Sequence, residues 1–147
     1  MEVRHRSRIS TPAIDAQDEY HALIATWMLR MMLGSAVAFR GFFGKRGFVN
    51  SDVSDFLQLQ DVDDDNIKIK ELKGIMRTLL NRFEHHVSAS SPLFANISLL
   101  AKRVSLTPLQ QQVLAFAVLK TRYDPLDTFQ QNMLKPTETH LCTALGL

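Results

Sequence analysis

A single cysteine, Cys142, stands among 147 residues, which excludes an internal disulfide and any multi-cysteine zinc site. Glycine (six) and proline (five) are scarce, so the chain is neither collagen-like nor low-complexity. A charge-free apolar run long enough to cross a membrane is also missing. The nearest approach, Ala22 to Phe39, carries Arg30 at its centre. Arginine at mid-span costs about 2.5–3.5 kcal/mol, while each Leu or Ile returns only about 0.3–0.6 kcal/mol. Asp15, Asp18 and Glu19 precede the run where a secretory signal needs basic residues. The run therefore reads as a largely buried helix with Arg30 snorkelling or paired, in a cytoplasmic chain without a membrane partner.

Apolar residues make up 46% of the chain, enough for one core at this length without metal or cross-links. The net charge of +2 conceals an uneven distribution. Residues 1–65 carry seven basic against ten acidic side chains, residues 66–123 nine against two, and residues 124–147 one against three. The middle zone is thus at +7, which suits an anionic partner or, more commonly, a solvated helix face.

The hydrophobic spacing predicts helices almost throughout, hence an all-α, multi-helical fold. Residues 1–10 read as a flexible basic arm, residues 11–88 as an N-terminal helical portion and residues 92–147 as a C-terminal helical unit, the two forming separate units or one continuous domain. A first long helix is expected from about Asp15 to Phe39, with Gly34 and Ser35 as a weak point or close-packing site. The loop Arg40 to Phe48 follows, its three glycines breaking any helix. Asn50 or Ser51 caps a short helix. Ile69, Leu72, Ile75, Met76, Leu79, Leu80, Phe83 and Val87 recur at spacings of three and four, the buried face of one helix. Asp63, Asp64 and Asp65 are expected at its start, where negative charge complements the helix dipole.

Ser88 to Pro92 is the candidate boundary. Beyond it Leu93, Phe94, Ile97, Leu100 and Val104 form one helix face. Thr107, Pro108 and Gln110 meet the capping-box pattern for the next helix, whose apolar residues from Leu109 to Leu119 cover most of its circumference, as expected of a central helix. Asp124-Pro125 stops it, Lys135-Pro136 stops a further short helix, and Thr137 caps a last one ending at Gly146.

Four signals invite a chemical reading and each breaks down. Asp61, Asp63 and Asp65 begin like a calcium loop, but Asn66 stands where glycine is needed and Leu72 where the bidentate glutamate belongs. Arg46-Gly47-Phe48 opens like an RNA-stacking signature, then departs at Val49 and Asn50 in a helical context. Gly41 to Lys45 is too short for a phosphate-binding loop and lacks the following Ser or Thr. Glu84-His85-His86 places its histidines about 100° apart on a helix, unsuited to sharing a metal. No acid–base or nucleophile arrangement emerges from spacing, so no catalytic, cofactor-binding or metal residue is assigned.

One resemblance remains. Leu100-Ala101 to Pro108, Val113 to Leu119 and Leu141 to Leu147 resemble the segment upstream of the nucleotide-binding core in a group of bacterial AAA-family ATPases. Gln110 and Gln111 stand where a glutamate is usual there, and Walker motifs are absent. The resemblance therefore implies a non-catalytic N-terminal accessory domain that recruits or positions a protein partner or substrate. ATP and Mg would belong only to an ATPase module outside this chain, and a downstream GxxxxGK[ST] is what it expects. The halt at Leu145-Gly146-Leu147 is accordingly read as the end of a fragment. It further implies that residues 92–147 form the first part of a winged-helix-type unit.

The competing resemblance is to LuxR-type and sigma-type helix-turn-helix openings, carried by Leu106 to Val118, which implies a DNA-binding regulator. Protein is the favoured partner, nucleic acid the second, and a homo-oligomer is compatible with both. The candidate contact surfaces are the basic flank Lys70, Lys73 and Arg77 and the loop aromatics Phe42, Phe43 and Phe48. The commoner meanings of these two features are a solvated face and a satellite core cluster.

Overall fold

The computed structural model describes residues 20–88, 91–132 and 138–146. The basic arm, the start of the first expected helix, residues 89–90 of the linker and the Lys135–Thr137 stop and cap lie outside them. Among the described residues the chain forms eight helices and one two-stranded hairpin, the expected all-α, multi-helical architecture.

Helix α1 (His21–Gly34) is the hub. Nine of its 14 residues are buried, and a helix apolar on every side is stable only when neighbours surround it. Helices α4 (Ile69–Glu84) and α8 (Glu138–Leu145) pack along it. Arg30, the charge interrupting the apolar run, reaches the rim between those two helices. Its Nη2 donates to Glu84 Oε1 at 3.1 Å and its Nη1 to the Ala144 carbonyl at 3.3 Å.

The expected continuous helix to Phe39 is corrected. The chain bends by 117° after Gly34, and α2 (Ala36–Phe42) starts afresh. Ser35 supplies the reason: its backbone is extended and its Oγ accepts the Ala38 N–H at 3.3 Å, so a new cap outcompetes continuation. Gly34 lies so close to the Thr143 methyl of α8 that a Cβ there would overlap it. No single helix among the described residues is long and apolar enough to cross a membrane.

The glycine-broken loop at Arg40 to Phe48 is also corrected. Arg40 and Gly41 belong to α2, and strands β1 (Phe43–Gly44) and β2 (Gly47–Phe48) close a tight antiparallel hairpin around exposed Lys45 and Arg46. Helix α3 (Ser51–Phe56) follows, capped by Asn50, whose Oδ1 accepts the Val53 N–H at 3.1 Å. The three aspartates do not open α4. That helix begins at Ile69, and the aspartates serve the preceding turn, where Asp63 accepts from Asn66 Nδ2 at 2.9 Å and Asp64 from the Phe48 N–H at 2.8 Å.

Helices α5 (Pro92–Val104) and α6 (Pro108–Arg122), joined by a short turn, pack against each other and are followed by α7 (Asp124–Asn132). Buried Ser91 caps α5 and Pro92 takes its first position. The capping box of α6 is formed in full: Gln110 N–H donates to Thr107 Oγ1 at 3.2 Å and Thr107 N–H to Gln110 Oε1 at 2.9 Å. Thr107→Ala is expected to cost about 1 kcal/mol, measured as a lower urea midpoint with unchanged slope.

Helix α7 packs on α2, α3 and α6 and α8 on α1. One continuous core cluster therefore draws on residues from both sides of the Ser88–Pro92 segment.

Candidate protein-interaction site

The side chains singled out in the sequence are used in different ways. Lys70 and Arg77 are exposed on α4. Lys73 between them is partly covered and places its Nζ 4.8 Å from the centre of the Phe39 ring, joining α4 to α2 through a cation–π contact. Phe42, offered as an exposed contact residue, is only 2% exposed, which corrects that expectation. Phe43 and Phe48 are half-buried, Phe48 packing on Phe42 with ring centroids 5.2 Å apart and Phe43 on Phe48 at 5.7 Å. Phe42 ends α2 inside the core and the β-hairpin lays Phe43 and Phe48 against that core, which takes apolar ring surface out of water while Lys45 and Arg46 stay exposed at the turn. Phe42 belongs to the one continuous core cluster, and Phe43 and Phe48 are partly buried against it.

The histidines have structural employment. His85 Nδ1 donates to the Asn81 carbonyl at 2.6 Å and His86 Nδ1 to the Arg82 carbonyl at 2.8 Å, satisfying the last carbonyls of α4. His21 Nε2 donates to the Phe56 carbonyl at 2.8 Å, and its ring stacks on Phe56 with centroids 4.1 Å apart. A carbonyl can only accept, so in each case the named ring nitrogen carries the proton. Glu84, beside this pair, is committed to Arg30.

Asp61, Asp63, Asn66 and Glu71 border an open cavity of about 360 Å³ below α4, with Val62, Ile67 and Ile75 as its apolar part. Among the described residues no three histidine, cysteine or carboxylate side chains converge in a way that could hold a metal ion.

The surface that stands out is one that residue types and spacing did not single out. α5 carries Leu93, Ile97, Leu100 and Val104 at spacings of four, three and four, and α6 carries Leu109, Val113 and Phe116 at four and three, one apolar stripe on each helix. The body covers only one end of this pair. At that end Ile97 is buried, the Trp27 ring of α1 lies 5.2 Å from Phe116, and Tyr20 meets Tyr123 edge-on at 6.4 Å while accepting the Leu93 N–H. Towards the turn the same stripes run out past the body: Leu100 is 43% exposed, Val104 57%, Leu109 47% and Val113 37%, with Leu99 on the outer face at 61%. Of the eight large apolar side chains left exposed among the described residues, these are five. The expectation that α6 is a central helix is corrected accordingly, since only Ala115, Phe116 and Leu119 of its 15 residues are buried.

The tip is well fastened. Ser105 adopts the left-handed conformation (φ 56°, ψ 45°), and its N–H and that of Leu106 close α5 onto the Ala101 carbonyl. Gln111 Nε2 donates to the Leu106 carbonyl at 3.3 Å. With the α6 capping box, these bonds hold the exposed leucines and valines on two closed helix ends, pre-formed for contact with a second surface. Compared with known proteins, the chain matches no family model, no curated protein and no solved structure.

Proposed function

We propose that this chain is a non-catalytic helical interaction module and that the tip of the α5–α6 pair is its contact surface. The observation that carries this reading is the concentration of five exposed large apolar side chains, Leu99 to Val113, at one rigidly capped helix turn. An apolar patch of this kind on an otherwise ordinary surface is characteristic of protein contact sites. The employment of His21, His85, His86, Arg30 and Glu84 in holding helix ends together supports a role that is not acid–base chemistry. Assignment of the module to an AAA-family ATPase, with the chain recruiting or positioning that engine's partner or substrate, rests on the sequence resemblance alone.

Photo-crosslinking tests the surface. A benzophenone amino acid at position 100 or 113 of the full chain should give one discrete protein adduct in the cells that express it, and the same probe at position 77 on α4 should not. Leu100→Asp in the position-113 probe should abolish the adduct while lowering stability by about 1 kcal/mol, because Leu100 is 43% exposed and gives up only part of its buried surface. Adducts from position 77 alone would move the surface to the basic flank of α4. Recovery of duplex DNA binding with a steep salt slope, in place of a protein adduct, would favour the helix-turn-helix reading.

A further inference from the structure

We infer that the α5–α6 tip is a receptor for an acidic amphipathic helix of a partner protein, an inference that rests on the interaction-module reading above. Helices α5 and α6 pack together and each leaves apolar side chains exposed beside the turn that joins them, a patch that a third helix with leucine-like side chains three and four residues apart can cover. The charge of the tip specifies what flanks those side chains. From His85 to Tyr123 there is no Asp or Glu at all. Arg103 is exposed at the edge of the stripe beside Leu100, Lys102 is exposed on the outer face beyond Leu99, and neither has an acidic partner among the described residues.

The dipole of α5 accounts for cations in its last turn. It does not account for α6. The first turn of a helix is where an acid is most favourable, and the third position of a capping box is ordinarily glutamate or glutamine. Yet α6 has no acidic residue in its first turn, and its capping box uses neutral Gln110. Helix stability by itself would favour glutamate at position 110. An incoming anionic face gives a reason against it, because a carboxylate there would repel the ligand next to Leu109 and Val113. The same arithmetic disfavours a second copy of this chain as occupant, since two tips brought together would oppose Lys102 and Arg103 with their own duplicates.

The test uses the ¹⁵N-labelled full chain and two synthetic 18-residue helical peptides with leucine at heptad a and d positions. One carries glutamate at the remaining positions and the other carries lysine. The acidic peptide should bind saturably, its shifts confined to residues 99–113, and its affinity should fall with salt. Lys102→Glu with Arg103→Glu should weaken it about tenfold, the combined effect of two exposed charge pairs, and should turn the preference towards the lysine peptide. Gln110→Glu should weaken binding severalfold while leaving the thermal midpoint unchanged or higher, a combination that a merely structural role for Gln110 would not produce.

Equal binding of both peptides at the tip, sensitive to Leu100→Asp, would overturn the acidic partner and leave the interaction module standing. Binding of neither peptide at millimolar concentration would overturn it too, and the crosslinking result would then decide the module separately. Stronger binding to phosphatidylserine vesicles, a dimer lost on Leu100→Asp, or shifts across 99–113 on deleting residues 1–19 would each assign a different occupant and overturn the inference.

Discussion

Trp27→Ala is expected to remove about 3–5 kcal/mol of stability, the cost of a large buried aromatic truncated to a methyl group. Trp27 is only 4% exposed and its indole meets the Phe116 ring at 5.2 Å with the planes tilted by 46°. The lost area and the cavity both fall at the joint between α1 and α6, the place where the α5–α6 pair is seated on the body. Against a total of about 5–15 kcal/mol for a domain of this class, that is a large fraction. With a urea slope of about 2 kcal/mol per molar, the midpoint should fall by about 2 M. The chain has one tryptophan, so the transition has to be followed by far-ultraviolet circular dichroism. Leu99→Ala, on a side chain already 61% exposed, should move the midpoint by less than about 0.5 kcal/mol in equivalent free energy. A Trp27/Phe116 double-mutant cycle should give a coupling of about 0.5–1.5 kcal/mol. Loss of less than about 1 kcal/mol in Trp27→Ala, or absence of coupling, would mean that the helix pair is held to the body by something other than this contact.

The contrast between Trp27 and Leu99 also marks where sequence reading succeeds and where it stops. Local devices were legible: Asn50, one of the two candidate caps, caps α3, and the Thr107–Gln110 capping box is formed as its spacing predicts. Each depends on residues within one turn of each other, so the pattern contains all of its own physics. The periodic face of α4 was legible in its interior, with Leu72, Met76 and Phe83 fully buried, but not at its ends, where Ile69 is 54% exposed and Val87 lies beyond the last turn. The break after Gly34 was visible only as a weak point, because the apolar run favours continuation and a single Ser35 hydrogen bond decides otherwise.

Burial at a distance was not legible. Phe42, Phe43 and Phe48 sit among glycines and cations, which read as a loop, yet α2 buries Phe42 and the hairpin packs Phe43 and Phe48 against the core. Conversely, Leu100, Val104, Leu109 and Val113 continue apolar stripes that look like core. Periodicity reports which face of a helix is apolar, and it says nothing about how far the rest of the protein extends along that face. The candidate site is that mismatch, so it becomes visible only when the body is seen to end beside Ile97 and Phe116. Its one sequence-level trace is the missing acid of α6, where Gln110 takes a position at which glutamate would serve the helix better.

Gly47→Ala should cost about 2–4 kcal/mol although the residue adds one methyl group at the foot of a surface turn. Gly47 has φ 93°, a conformation costing an L-residue about 1–2 kcal/mol. Space is the second obstacle. A Cβ would overlap the carboxylate oxygen of Asp64 and stand 2.7 Å from its Cγ. Asp64 cannot step aside freely, because the same oxygen accepts the Phe48 N–H at 2.8 Å, and losing a hydrogen bond to a charged acceptor costs about 1.5–3 kcal/mol. The turn thus clasps a loop 16 residues further along the chain and holds Phe48 against Phe42. Exposed Lys45 and Arg46, two and one residues earlier, should each tolerate alanine within about 0.5 kcal/mol. The two causes separate in the Asp64→Ala background, where the steric conflict is gone and Gly47→Ala should cost only the conformational share of about 1–2 kcal/mol. An equal loss in both backgrounds, measured by urea midpoints at constant slope, would show that the Asp64 clasp plays no part in closing the hairpin.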